Sequence, residues 1–482
     1  MRPPPDRPAL VWFRDDLRLD DNPALDAAKA TGRPLVLVFL LDEQSEGIRP
    51  LGGAARWWLG RSLAALAAAI KAKGGELVLR HGRAIDCIPD LARDVGAQTV
   101  YWNRRYGAPE IAVDKAVKSA LTTGGIPVES FGGNLLHEPW TVETQSGGAF
   151  RVFTPFFRRA VTQAIRVPSR APSQWRFGHP PEGERREDWA LEPTAPDWAG
   201  GLRQAWTPGE DGALTALAAF IDGGLDGYAD QRDRPDLPST SRLSPHLRFG
   251  EISPHRALTA VRHAEADGSA APRDVAKFVS EVYWREFSYH LLFHFPDIGH
   301  ANFNDRFDAF EWASEEALVR AWRRGLTGYP LVDAGMRQLW QTGWMHNRVR
   351  MVAASFLIKH CLTDWRRGEE WFWDTLVDAD PANNPASWQW VAGSGADAPP
   401  YFRVFNPVAQ GEKFDPDGHY VRHFVPELAA LPSSILHKPW EAAPAVLRQA
   451  GVVLGETYPR PVVDHAWARE RALDRFQRIR AQ

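Results

Sequence analysis

The sequence predicts an α/β amino-terminal domain built on a doubly wound parallel sheet, followed by an all-α carboxy-terminal domain. Three observations carry this expectation. Residues 9–131 alternate short β-rich runs with helical stretches, the order that produces a parallel sheet covered on both faces. From Ala213 onward the apolar residues recur at helical spacing almost throughout, punctuated by Gly and Pro. A chain of 482 residues exceeds one ordinary core, which sets two or three domains.

In chain order, the expected strands are Ala9-Leu-Val-Trp-Phe13, Leu35 to Leu41, Glu76 to Arg80, Gln98 to Trp102 and Pro127 to Phe131. Between them, Asn22 to Ala30, Ala54 to Lys73, Ile85 to Val95 and Pro109 to Leu121 carry Ala, Leu, Lys and Arg at helical spacing. The first strand runs into Trp12-Phe-Arg-Asp-Asp-Leu-Arg-Leu19 rather than a Gly-x-Gly-x-x-Gly turn, so the usual dinucleotide fingerprint is absent from this sheet. From Arg166 to Gly212 the composition shifts to Pro, Gly, Trp and charge, as in a long connector. The expected domains are therefore 1–135, a connector over 136–212, and a helical domain over 213–482.

The totals exclude several classes. Hydrophobic content of 44% with 24% charge is that of a globular protein. Cys87 and Cys361 stand far apart, which argues against a disulfide framework or a cysteine zinc site and fits a reducing cytoplasm. The amino terminus, Met1 to Arg7, has no apolar segment behind it, and no run approaches transmembrane length, so a cytoplasmic location without membrane association is expected. Net charge is −3. Residues 330–413 hold eight Lys and Arg against nine Asp and Glu, so a nucleic-acid surface would have to be a local arrangement of a few cations. His290 and His294 are one turn apart on one helix, yet no third ligand accompanies them, and no metal is expected.

Ten of the 21 tryptophans lie between Trp284 and Trp390. The densest stretch, Asp378-Ala-Asp-Pro-Ala-Asn-Asn-Pro-Ala-Ser-Trp-Gln-Trp390, mixes bulky aromatics with Asn, Pro and Asp, residues of shaped loops. Ring faces beside amides, carboxylates and guanidiniums suit a planar ligand with polar edges, such as a flavin or a nucleobase. Four smaller patterns accompany it. Ser239-Thr-Ser-Arg-Leu-Ser-Pro-His246 reads as a helix start with Ser244 as N-cap and Pro245 first, either a phosphate site or simply a capped helix. Glu281 and Trp284 share one face of a helix expected over Val275 to Phe295. Asn347, Arg350 and Met351 share another, with Asp378 or Asp380 available as the acidic partner that a buried arginine needs. Trp388, Trp365 and Trp322, on separate segments, could relay an electron or simply fill a core.

Together these motifs resemble one family. The chain is similar to DNA photolyases and cryptochromes over nearly its whole length, through Val11-Trp-Phe-Arg-Asp-Asp-Leu-Arg-Leu-Asp-Asp-Asn22, Thr240-Ser-Arg-Leu-Ser244, Trp284-Arg-Glu-Phe287, Gly328-Tyr-Pro-Leu-Val-Asp-Ala-Gly-Met-Arg337, Gly343-Trp-Met-His-Asn-Arg348, Trp388-Gln-Trp390 and Phe405-Asn-Pro407. It is most like the class I or class III enzymes that act on cyclobutane pyrimidine dimers. The resemblance implies an antenna role for the α/β domain and an FAD-binding catalytic role for the helical one. It assigns Tyr228, Thr240, Ser241, Leu243 and Ser244 to the FAD phosphates and ribityl chain. Asn347, Arg350, Asp378, Asp380 and Asn384 would surround the isoalloxazine, with Arg350 paired to Asp378 and the Asn384 amide favouring a reduced, anionic flavin. Trp388, Trp365 and Trp322 match the photoreduction chain, in that order outward.

By the same resemblance, Glu281, Trp284, Met351 and Trp390 form the lesion pocket of a dimer-repair enzyme, where (6-4) enzymes carry histidine near the position of Met351. The implied activity is light-driven electron transfer from reduced FAD to a flipped pyrimidine dimer, splitting it to monomers. A protonated Glu281 would donate to the pyrimidine carbonyl where charge grows. Arg232, Arg348, Arg403 and Lys413, with Trp284, would hold UV-damaged DNA. A monomer without an obligate protein partner is expected. Tyr101 to Glu110 departs from the Asn-Glu pair that holds methenyltetrahydrofolate in family members, and no Cys-Lys pair stands around Pro296 to Asn304. The antenna is thus methenyltetrahydrofolate, deazaflavin or none, with Glu110 a candidate contact. The rival readings are a cryptochrome-type photoreceptor without repair, disfavoured because the chain ends in an ordered-looking helix rather than a disordered tail, and a (6-4) photolyase, disfavoured by Met351.

Overall fold

The computed structural model describes residues 6–480 except 172, 173, 314 and 400; residues 1–5 of the amino-terminal stretch lie outside that range. The described chain forms two compact units. The first comprises residues up to Ala199, Trp206–Asp226 and Ser241–Pro296, and the second comprises Gly200–Ala205, Gly227–Thr240 and the chain from Asp297 on.

The first unit is built on a five-stranded parallel sheet of β1 (Ala9–Phe13), β2 (Leu35–Leu41), β3 (Leu77–His81), β4 (Thr99–Asn103) and β5 (Val128–Phe131), in the order β3-β2-β1-β4-β5. Every residue of β1 and β2 is buried, as expected of central strands covered on both faces. Helices α1 (Pro23–Ala30), α2 (Gly53–Ala72), α3 (Ala84–Asp94) and α4 (Ala108–Thr123) supply those covers. The connector is tied to the sheet: Leu35 bridges to Phe177, and buried Trp189 packs 6.3 Å from Phe39.

Residues 241–296 join this unit through specific contacts. Arg18 donates to the Gly250 carbonyl at 2.8 Å and to the Gly133 carbonyl at 2.7 Å. A Cβ at Gly250, whose φ is +62°, would lie 2.0 Å from the Asp15 carbonyl oxygen, so only glycine permits the approach. Helix Pro272–His294 carries Glu286, whose carboxylate accepts from the Leu136 and His137 amides at 2.8 and 3.3 Å. Burial pushes the Glu286 carboxyl up to about 7.

The second unit is helical. Its core gathers Trp322, Tyr329, Phe356, Trp365, Phe372 and Trp388. Helices Trp365–Thr375 and Asn383–Ala392 pack so closely at Gly368 that a Cβ there would meet the Trp388 ring at 2.2 Å. The chain finishes in helix His465–Arg480. No helix of the described residues is long and apolar enough to cross a membrane.

Candidate functional site

In the second unit the polar residues of the aromatic loop are fastened by one another. Arg350, on helix Asn347–Ser355, donates to the two carboxylate oxygens of Asp378 at 3.1 and 2.8 Å and to the Met345 carbonyl at 2.7 Å. This two-pronged geometry is the strong form of an arginine–carboxylate pair. Asp380 accepts from the Ala382 and Asn383 amides at 2.8 and 2.6 Å and from the Asn383 side chain at 2.7 Å, closing the turn into the next helix. One turn on, the buried Asn384 amide donates to the Glu369 carbonyl at 3.1 Å and to its carboxylate at 2.7 Å. Its own carbonyl oxygen accepts from no group among the described residues.

A buried amide oriented by a carboxylate and an arginine already neutralised by Asp378 offer donors and acceptors without an uncompensated charge. That donor set fits the polar edge of a flavin. Tyr228 is buried at the head of a short helix, Thr240 is half-buried, and Asn347 is exposed.

The tryptophans depart from expectation. Trp388 lies 4.9 Å from Phe372 and 6.2 Å from Trp322 between ring centroids. Trp322 is fully buried, with its indole donating to the Ala353 carbonyl at 2.9 Å. It is therefore an inner neighbour of Trp388 and not the outermost residue of a chain leading to solvent. Trp365 is also fully buried, its indole donating to Asn302 at 2.9 Å. Half-buried Trp312, Trp371 and Trp440 pack against the same core. Of these, Trp312 precedes Ala313, whose amide donates to the Leu362 carbonyl at 2.8 Å, three residues before Trp365. No motif in the sequence singles out Trp312; its signal is a tryptophan in a non-helical stretch where no core periodicity requires one.

The expected DNA cations differ in their commitments. Arg348 donates to Asp233 at 2.7 Å and lies over the Phe414 ring at 4.4 Å. Arg403 donates to the Tyr401 hydroxyl. Lys413 is exposed beside Phe414, and half-buried Arg232 faces Tyr228 at 6.0 Å. Half-buried Trp390 donates to the Asp397 carbonyl at 3.0 Å, and Met351 is half-buried on the helix that carries Arg350.

In the first unit, Glu281 and Trp284 lie one turn apart on helix Pro272–His294. Glu281 takes the Lys277 ammonium at 3.0 Å. Trp284 stacks on Phe153 with centroids 3.7 Å apart, which fixes the plane of the indole.

The helix start at Ser244 differs from expectation. Leu243 occupies the cap position, Ser244 is the first residue and Pro245 the second of a five-residue helix without a side-chain cap. Arg242, at φ +52°, turns the chain before Ser244 is reached, and the Ser241 hydroxyl accepts from the Leu243 amide at 3.4 Å. Leu243 is buried and Ser244 exposed.

At the switch point of the sheet, beyond the carboxyl ends of β1 and β4, Arg14 and Arg105 both hold Asp114, at 2.9 and 2.8 Å. Arg14 lies over the Trp12 ring at 4.4 Å. Glu110, on α4, has its carboxyl pushed up by burial.

Comparison with known proteins points to one family. Residues 9–173 match the DNA photolyase domain, and residues 278–478 match the FAD binding domain of DNA photolyase. A deoxyribodipyrimidine photo-lyase of Agrobacterium fabrum is 55% identical, with 98% of each chain covered. Cryptochrome-2 of Arabidopsis thaliana is 38% identical over 98% of this chain and 79% of its own length. Among solved structures, a bacterial class III photolyase from Agrobacterium tumefaciens superimposes with a TM-score of 0.95 at 54% identity, covering 99% of this chain and 98% of that one. An amino-terminal parallel sheet, a helical unit with a cradle suited to FAD, and identity above half along the full length place this chain in the DNA photolyase family.

Proposed function

We infer that this chain is a deoxyribodipyrimidine photo-lyase that splits cyclobutane pyrimidine dimers in UV-damaged DNA under blue light. The observation that carries the reading is the set of paired polar groups in the helical unit, where Arg350 holds Asp378 and Glu369 holds Asn384, one turn before Trp388 on the same helix. Residues 213–482 serve as the catalytic region, 136–212 as connector and 1–135 as the antenna domain. When bound, reduced FAD supplies the electron that opens the dimer.

The protein's part is to bind, orient and shield. Tyr228, Thr240, Ser241, Leu243 and Ser244 hold the phosphate and ribityl end, and Asn347, Arg350, Asp378, Asp380 and Asn384 hold the ring. Asn384 presents an acceptor without a negative charge. Trp284, made rigid by Phe153, and Trp390, held by Asp397, offer flat faces to extruded bases, the extrusion being the established habit of this enzyme class. Met351 gives a polarizable wall. Glu281, with the Lys277 ammonium on its carboxylate, brings polar groups to the same helix face as Trp284, where a pyrimidine carbonyl needs them.

Arg232, Arg348, Arg403 and Lys413 meet DNA phosphates. Trp388 and Trp365 carry electrons inward for photoreduction, with Trp312 as the outer member. Glu110 is the antenna contact, for a folate or a deazaflavin.

The identity to cryptochromes favours a second reading, a photoreceptor without repair. The photoreduced protein, given DNA carrying cyclobutane dimers or (6-4) products under blue light, should restore only the first. Restoration of neither supports the photoreceptor, and restoration of the (6-4) product removes the role given to Met351. Glu281→Ala should lower repair yield while leaving flavin content unchanged.

A further inference from the structure

Lys359 is out of place by every ordinary measure. It lies in Phe356-Leu-Ile-Lys-His360, a π-helical turn whose residues are all buried, and only 2% of it is exposed. Lysine is among the residues least often buried without a charged partner, and no carboxylate pairs with Lys359 among the described residues. Its ammonium donates to the main-chain carbonyl of Arg403 and lies 4.2 Å from the centre of the Phe402 ring. A methionine would fill such a site without the penalty of burying a charge.

Among the described residues, the Lys359 ammonium directs its hydrogen bond to one loop. Residues 401–406 have no regular secondary structure and are fastened at successive points. Phe402 is buried, stacked on Phe476 at 4.5 Å and near Phe307 and Phe310. The Phe405 amide donates to Ser355 at 3.3 Å. The Asn406 side chain caps helix Pro407–Phe414, which carries Lys413. Ser355 and Lys359 are one turn apart and reach the loop together. The Arg403 backbone is gripped, while its guanidinium meets, among the described residues, only the Tyr401 hydroxyl and ring faces.

We propose that Lys359 is the positioning residue for Arg403: by holding the Arg403 carbonyl, it fixes the place from which the Arg403 guanidinium meets a DNA phosphate. The proposal rests on the reading of Arg403 as a phosphate contact. Burial and the nearby Arg403 push Lys359 down to about 7, so the strength of its grip changes near neutrality. The other groups around it do not change there in the same way. His360 is pushed down to about 3 by burial, and burial also lowers His465. Cys361 is pushed up to about 12. Arg471 donates to the His360 carbonyl and Arg475 to Glu311.

The test is dark binding of a short duplex with one cyclobutane dimer to the full FAD-loaded chain, followed by fluorescence anisotropy between about pH 6 and pH 9. Wild-type affinity should fall roughly tenfold as the pH passes 7. Lys359→Arg, cationic throughout, should bind tightly with a flat profile. Lys359→Met should bind weakly with a flat profile, and adding it to Arg403→Ala should cause no further loss. If Arg403→Ala weakens binding while Lys359→Met keeps the wild-type affinity and slope, the positioning role is refuted and the phosphate contact survives. If Arg403→Ala binds like wild type, the phosphate contact itself falls and takes the positioning role with it. Should Lys359→Met fail to fold, the wild-type Phe405 amide serves instead. Its exchange protection, corrected for intrinsic rate, should drop above pH 7, and constant protection would overturn the proposal.

Discussion

Arg350 and Arg403 are both partly buried residues of the helical unit, yet among the described residues only Arg350 has a carboxylate partner. Arg350 is locked in a two-pronged pair with Asp378, within a cradle where Asn384, Glu369 and Asp380 are also engaged. Among the described residues, Arg403 meets only a tyrosine hydroxyl and aromatic faces. The difference separates two kinds of site. A cofactor pocket that is held permanently gains from charges paired in advance, because an unpaired buried charge is costly whenever the pocket empties. A surface that meets a polyanion needs the opposite, cations whose positive charge is not yet spent. Arg348, paired with Asp233, sits between the two, and its contribution to DNA affinity should be smaller than that of Arg403.

The largest expected effect comes from breaking the cradle. Asp378→Asn leaves Arg350 without its carboxylate, and the variant should lose FAD on gel filtration and about 3 kcal/mol of stability in urea. Retention of flavin with unchanged stability would show that the pair is not what makes the pocket.

Trp388→Phe tests the cradle's other wall. Photoreduction should be abolished, read as the flavin spectrum under light with an external donor, while chemically reduced protein repairs at the wild-type rate. Equal loss of both would refute the role of Trp388.

A third prediction moves the comparison to the first unit, where Glu286 is a buried carboxyl serving backbone amides. Its folded-state value is raised from 4.5 to about 7, so its stabilisation is fully present below pH 4.5 and is lost as the pH rises through about 7. Relative to Glu286→Gln, wild type should lose roughly 3 kcal/mol over that window. Parallel stability curves would contradict the assignment. The smallest effect belongs to the surface: Arg403→Ala should reduce the slope of log affinity against log salt by about one contact, and Arg348→Ala by less.

How far the sequence was readable follows from what each feature depends on. The five strands fall within a residue of expectation because β1 and β2 are buried on both faces and show as unbroken apolar runs. Helix Pro272–His294 starts three residues before its expected edge for want of a sharp cap signal, since Ala271 precedes Pro272. Ser244 was misplaced because the turn depends on the positive φ of Arg242, a conformation no spacing rule encodes. The outward order of tryptophans failed for a related reason: identity fixes that an indole is present, while only packing tells which one reaches solvent. Partners far apart in sequence, such as Glu369 for Asn384, Asp233 for Arg348 and Lys359 for the Arg403 carbonyl, leave no periodic trace. Glu286 lies inside Trp284-Arg-Glu-Phe287, yet its task, holding the Leu136 and His137 amides, is visible only from the fold.

The most direct test of the account is turnover. Photoreduced, FAD-loaded protein is mixed with an excess of oligonucleotide bearing one cyclobutane thymine dimer, illuminated with blue light, and the intact thymines are counted against a dark control. Many dimers should be restored per protein in the light and none in the dark; a flavin-loaded, photoreduced protein that restores none in either condition is not a repair enzyme for this lesion.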